Sequence, residues 1–452
     1  MRPSKASFDS NQSWTDDLET CSNTGIGFSF NQVYREDGTP QGEHSYEDFS
    51  CHKKFKPNSY WYAVYDGHEG GKIAKFCFER MTAEIYFAQL NDELTDDAIK
   101  DVLRQAFISM EREYMESVGS LLAERTGLME DIKGLTSFEA CRKFPEVVEK
   151  LKQINWELSS GTACAVALIF NNKLYVANVG NCRVLLCQTD ENNVMKVIQL
   201  SIEHDLKNED ELLRLSQIGI DINNLKKSSH LGNQSNTRCL GNYMVKGGYK
   251  EFEDLCTAIQ EPVTAEPDIH GGFELDESCK FLLLMSSGLL KTIEEVAKTD
   301  QINKYIAQCV VEQFREQTTL TGVAQAVVDK IARLHHDCYM SNSSSIKKRE
   351  DITLMVRNFN FPLHSETRYS TFDSIISSNN ALQSSSGQQT LTNSTNRNCF
   401  SSTSSSEPQN YRRENGLGPN QKIKSYVDFN DFYVCLEKAK QEGRCPDWLK
   451  NF

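Results

Sequence analysis

Residues 60–71 read Tyr60-Trp61-Tyr62-Ala63-Val64-Tyr65-Asp66-Gly67-His68-Glu69-Gly70-Gly71, and this stretch decides the fold. Tyr60 to Tyr65 is an aromatic and β-branched run of strand character. It stops at Asp66-Gly67-His68, where glycines allow a tight turn. The spacing therefore holds a carboxylate at a strand end. Such an edge suits a hard cation, because Mg²⁺ and Mn²⁺ prefer carboxylate, carbonyl and water oxygens and Gly67 lets a backbone carbonyl approach. The competing reading is a turn in which Asp66 bonds only its own backbone. The rest of the chain decides between them.

At 452 residues the chain has ample material for a large domain and for tails. A formal net charge of -14 without a basic stripe argues against a nucleic-acid surface. The 15 cysteines are odd in number and lack CxxC spacing, and several, such as Cys77, Cys164 and Cys187, sit in apolar runs. They read as reduced core thiols. With no signal-like stretch and no 18-residue apolar run, the expectation is a soluble cytoplasmic protein without a membrane span.

Outward from the deciding stretch, residues 1–24 form a polar leader in which Trp14 is placed to pack onto the domain. Residues 25–34 and the segment around Tyr46-Glu47-Asp48-Phe49 precede the strand that ends in Asp66. Lys72 to about Glu124 shows helical spacing, interrupted at residues 91–97 by turn and N-cap residues, which predicts two helices. Residues 125–158 read as a surface excursion ending in an amphipathic stretch. Gly161–Phe170, the turn Asn171-Asn172 and Lys173–Gly180 predict a hairpin whose first arm is buried on both faces. Further strands follow at VLLCQT and VMKVIQLS, then a short helix over 209–219 and a loop-like region over 228–250. A buried strand at 280–285 ends in Ser286-Ser287-Gly288. Two helices between Thr292 and Asp337 and a last strand at 351–358 complete the pattern. Strands joined by hairpins predict antiparallel sheets.

From residue 363 to 424 the chain is rich in Ser, Thr, Asn and Gln, so it reads as a disordered linker. An apolar island follows within 425–452. Phe429, Phe432, Tyr433 and Leu436 fall at i, i+3, i+4 and i+7, one face of a short helix. A helix this short must dock on something, either a partner's groove or its own domain.

Taken in order, Glu47-Asp48, Asp66-Gly67-His68, Gly161-Thr162, Val179-Gly180-Asn181-Cys182-Arg183, Glu266-Pro267, Ser286-Ser287-Gly288 and Arg349-Glu350-Asp351 resemble the successive motifs of the metal-dependent Ser/Thr protein phosphatase 2C family. The resemblance spans roughly residues 25–360. It implies an α+β fold, a sandwich of two antiparallel β-sheets flanked by helices over 25–362, followed by the linker and the short C-terminal helix. It also implies carboxylates that hold two Mg²⁺ or Mn²⁺ ions about 4 Å apart around an activated water.

Carried over residue by residue, the resemblance implies a damaged centre. Glu47 and Asp66 stand at ligand positions with Gly67 as carbonyl donor, whereas Ser287, Asn181 and Glu350 replace family aspartates. Glu43 falls at the phosphate-binding arginine position. Each such loss is expected to cost several kcal/mol, at about 1.4 kcal/mol per factor of ten in rate. The implied protein is a pseudophosphatase that requires no cofactor, with one Mg²⁺ or Mn²⁺ at Glu47, Asp66 and Gly67 the most that the remaining ligands would hold. The alternative is an active Mg/Mn-dependent Ser/Thr phosphatase.

Within the family, the stretches SWTDDL, NNKLYVANVG, NEDELLRLSQIGID, AQAVVD, EDITLMVRNF and YVDFNDFY are similar to an adaptor branch without catalysis. That branch binds and activates a MAP kinase kinase kinase, the TGF-β-activated kinase, in stress and immune signalling. The resemblance implies that Tyr426, Val427, Phe429, Phe432, Tyr433 and Leu436 bind the kinase catalytic domain and promote its autophosphorylation.

Overall fold

The structure is a computed structural model, and it describes residues 14–35, 39–56, 58–88, 90–228, 230–341 and 348–364. The side chain of Trp14, the linker and the whole C-terminal segment lie outside the described residues, and with them the six kinase-binding positions.

In chain order the strands are β1 (Thr24–Ser29), β2 (Gln32–Tyr34), β3 (Pro40–Gln41), β4 (Phe49–Lys56), β5 (Ser59–His68), β6 (Gly161–Phe170), β7 (Lys173–Val179), β8 (Arg183–Thr189), β9 (Met195–Gln199), β10 (Leu240–Gly241), β11 (Asp268–Glu274), β12 (Cys279–Met285), β13 (Lys348–Arg349) and β14 (Ile352–Asn358). The helices are α1 (Lys72–Phe87), α2 (Asp96–Ser117), α3 (Gly119–Asp131), α4 (Ser137–Lys143), α5 (Pro145–Ser159), α6 (Glu209–Gln217), α7 (Ile222–Ser228), α8 (Ser287–Ala297), α9 (Ile302–Glu316) and α10 (Leu320–Ser341).

One sheet runs β1-β14-β12-β8-β9, the other β11-β7-β6-β5-β4 with β10 beside β6, and β13-β2-β3 form a small third sheet. The pairings between these strands are antiparallel. The predicted hairpin is present, with Phe170 opposite Lys173. Asn171 and Asn172 both adopt positive φ, at 49° and 62°. A two-residue turn with both centres left-handed matches the right-handed strand twist, and asparagine tolerates that conformation best after glycine.

Alternation along β5 builds two cores at once. Trp61, Ala63 and Tyr65 face α1 and α2 in one buried cluster. Tyr62 and Val64 face the other sheet through Val184, Leu186, Leu282, Leu284 and Met355. A third cluster packs β8, β12 and β14 against α8, α9 and α10. The result is four layers, helix, sheet, sheet, helix.

Two expectations change. The region 292–337 holds three helices and not two, because α8 starts immediately after β12 and α9 and α10 are separated at residues 317–319. The excursion is mostly helical, as α3, α4 and α5, with a Thr136–Glu139 capping box starting α4 and Pro145 at the first turn of α5. The leader is stitched to β4: Lys54 N–H donates to the Glu19 carbonyl at 2.7 Å, and Thr20 bridges Lys53.

Candidate functional site

The ends of β5, β12 and β14 meet the loop before β4 at one end of the sandwich, in a cleft of about 520 Å³. Glu47, Asp48, Asp66, Gly67, Asn181, Ser287 and Glu350, the positions singled out in the sequence, all line it. Register explains part of this convergence. β5 pairs with β6 along its whole length, Asp66 opposite Ala163 and Gly67 opposite Thr162, so the strand end is fixed. A Cβ on Gly67 would lie 2.5 Å from the Glu47 carbonyl oxygen, so only glycine lets the two segments close.

Asp66 is held by a helix. Ser287 is the first residue of α8, and its backbone N–H donates to Asp66 Oδ2 at 2.7 Å. Ser286 at the N-cap makes no side-chain cap bond, so Asp66 satisfies an otherwise orphaned helix donor and sits at the positive end of the helix dipole. Burial pushes the Asp66 carboxyl upward, opposed by the Ser287 bonds and the Lys291 ammonium. Asp48 is more deeply enclosed, and burial together with the neighbouring Asp66 charge drives its carboxyl well above the usual range. Thr353 Oγ1 donates to Asp48 Oδ2 at 2.7 Å. Thr353 also exchanges bonds with Ser286, tying β14 to the start of α8.

Glu47 accepts the Gly70 N–H at 3.0 Å and lies 3.3 Å from His44 Nδ1. Burial raises its carboxyl too. His68 is driven by burial down to about 4, so its ring is neutral at pH 7. Asn181 accepts from Asn236 Nδ2 at 3.2 Å. Glu43, at the position the resemblance gives to a phosphate-binding arginine, pairs with Lys348 at the rim. Trp156 of α5 lies against Gly70, its ring 3.0 Å from where a Cβ there would stand, so the excursion walls the cleft.

Three residues escaped the sequence reading. Asp351, not Glu350, is the buried acid beside Glu47: its Oδ2 accepts the Glu47 N–H at 2.9 Å, and its Oδ1 accepts Asn31 N–H and Nδ2 at 2.5 and 2.8 Å. Asn31 thereby joins the site. Glu350 lines the same cleft but turns to Lys291 and not to Glu47, its two oxygens 3.0 and 2.7 Å from Lys291 Nζ. Lys291 is the third, four residues along α8 from Ser287 and therefore on the same helix face. Helical spacing after Ser287 would have revealed it.

A two-ion centre does not fit these residues. One Asp66 oxygen is occupied by an amide, Ser287 offers a hydroxyl where the resemblance places a carboxylate, and the Lys291 ammonium is paired with Glu350. Among the described residues no group of three or more His, Cys, Asp or Glu side chains is arranged to hold a metal ion.

The chain is 26% identical over 323 residues to "TGF-beta-activated kinase 1 and MAP3K7-binding protein 1" of Caenorhabditis elegans, covering 70% of this chain and 76% of that protein. It is 27% identical over 271 residues to "Probable protein phosphatase 2C 4" of Paramecium tetraurelia, covering 60% of this chain and 75% of that protein. A solved serine-threonine phosphatase 2C from Toxoplasma gondii superposes with a TM-score of 0.46 at 14% identity, covering 76% of this chain and 98% of that one. Among the described residues no helix is long and apolar enough to cross a membrane. The model of the family described as protein phosphatase 2C matches residues 27–333, more than half of the sequence and the motifs from Glu47-Asp48 to Ser286-Ser287-Gly288, and on that ground the chain belongs to the protein phosphatase 2C family.

Proposed function

We propose that this protein is a non-catalytic adaptor that binds a MAP kinase kinase kinase of the TGF-β-activated kinase type. In this reading the phosphatase-like domain serves as a recognition scaffold in the cytoplasm, in stress and immune signalling. The carrying observation is the presence of an ammonium and a hydroxyl, Lys291 and Ser287, in a cleft where metal-dependent hydrolysis needs carboxylate ligands. The printed name of the C. elegans relative, a kinase-binding protein, supports the partner class. In this proposal the aromatic face of Phe429, Phe432, Tyr433 and Leu436, with Tyr426 and Val427, fills a groove on the kinase catalytic domain and promotes autophosphorylation.

The test is capture of the kinase by the full chain and by a chain lacking residues 425–440, with kinase autophosphorylation as second readout. Loss of both on deletion is the expected result; full activation by the deleted chain overturns the tail assignment. The second reading, an active Mn²⁺-dependent phosphatase, draws on the acids that persist in the cleft, Glu47, Asp48, Asp66 and Asp351. It is separated by phosphopeptide hydrolysis, set out in the Discussion.

A further inference from the structure

Among the described residues seven carboxylates, Glu43, Glu47, Asp48, Asp66, Glu69, Glu350 and Asp351, line the cleft against two lysines. Such crowding of like charge needs compensation. Of the two lysines, Lys348 is drawn to the rim by Glu43. Lys291 is placed in the cleft by α8: Ser287, one turn earlier on the same face, bonds Asp66, and the Lys291 ammonium pairs with Glu350 at 2.7 Å, with the Asp66 charge near enough to help hold its proton. Its side chain is 45% exposed, so the ammonium borders solvent as well as the cleft it lines.

We propose that Lys291 is the resident cation of this cleft, a tethered charge that compensates Asp66 and Glu350 in place of a divalent ion and keeps Mg²⁺ and Mn²⁺ out. The exclusion has two parts. A divalent ion held between Asp66 and Glu350 would meet the ammonium that already bonds Glu350, and like charges repel. It would also compete with a cation whose tether gives it a high local concentration. The chain's own geometry thus assigns the role of the expected metal to a side chain. The inference rests on the reading of the cleft as non-catalytic, but its test is read through metal binding and is independent of kinase capture.

The experiment is calorimetric titration of MnCl₂ into the full chain and into Lys291→Ala, Lys291→Arg and the double variant Ser287→Asp/Lys291→Asp, with thermal melting of each with and without Mn²⁺. The expected result is an affinity at least about tenfold tighter in Lys291→Ala than in the wild-type chain. Affinity should be tighter again in the double variant and unchanged in Lys291→Arg, which keeps the charge. Mn²⁺ should raise the melting temperature of Lys291→Ala and leave that of the wild-type chain unmoved. Equal Mn²⁺ affinity in the wild-type chain and Lys291→Ala overturns the proposal, as does a folded double variant that binds no Mn²⁺. Kinase capture retained by all variants leaves the adaptor reading standing whichever way the titration falls.

Discussion

The backbone amide of Ser287 donates a 2.7 Å hydrogen bond to the carboxylate of Asp66, 221 residues away in sequence. This bond closes the end of one sheet onto the first turn of the helix that follows the other. In this chain the acid at the end of β5 acts as a helix cap supplied from a distant strand. Asp66→Ala would leave the Ser287 N–H without its acceptor in a part-buried setting. The variant should lose about 2 kcal/mol of stability, read as a lower midpoint in urea with an unchanged slope.

Gly288 follows at the second position of α8, and a Cβ there would lie 2.0 Å from the Asp351 carbonyl oxygen. That contact is with backbone, which cannot swing away. Gly288→Ala should force α8 off β14 and cost roughly 3 kcal/mol or more, seen as a large drop in melting temperature. Gly119→Ala is the control: a Cβ there meets nothing within 4 Å. It should be close to neutral.

Away from the cleft, Glu211 is nearly fully buried, with Arg238 Nη2 at 2.6 Å, Arg214 Nη2 at 2.9 Å and Thr237 Oγ1 at 2.6 Å around its carboxylate. Burial alone would raise its carboxyl, but the two guanidiniums and the hydroxyl more than offset it, and the group is held at about 2 against an ordinary 4.5. A depressed folded value means the unfolded chain binds the extra proton. The stabilisation is therefore complete above about pH 4.5 and is lost as the pH falls toward about 2. Glu211→Gln should remove roughly 3 kcal/mol at pH 7 and flatten the stability curve between those limits, measured by denaturant melts across pH.

If the C-terminal aromatics anchor a kinase groove, single truncations should be severe while neighbouring polar changes are mild. Phe432→Ala is expected to weaken kinase capture by about 2 kcal/mol or more, a factor of roughly thirty, whereas Asn430→Ala should change little. Surface plasmon resonance with immobilised kinase domain reads both.

Most of the fold was legible because its signals are local. The Asn171-Asn172 turn, the all-buried run of β6 and the apolar β12 each carry their own period and their own punctuation. The site was legible in its family positions, Glu47, Asp66 and Ser287, which the loop before β4, the end of β5 and the start of α8 bring to one cleft. What was hidden depended on direction. In extended chain neighbouring side chains point to opposite sides, so of Glu350 and Asp351 only one could join Glu47, and the sequence does not say which. Lys291 was missed for a related reason: its partners lie 59 residues away at Glu350 and on another sheet at Asp66. The third helix in this region was missed because neither Lys298-Thr299-Asp300-Gln301 nor Gln317-Thr318-Thr319 interrupts the helical pattern with glycine or proline.

The most direct measurement is hydrolysis of a phosphothreonine peptide by the full chain in excess Mn²⁺, with Asp66→Ala alongside as the background. The account predicts that the wild-type chain releases phosphate no faster than Asp66→Ala. Turnover that is clear in the wild-type chain and abolished in Asp66→Ala would contradict it.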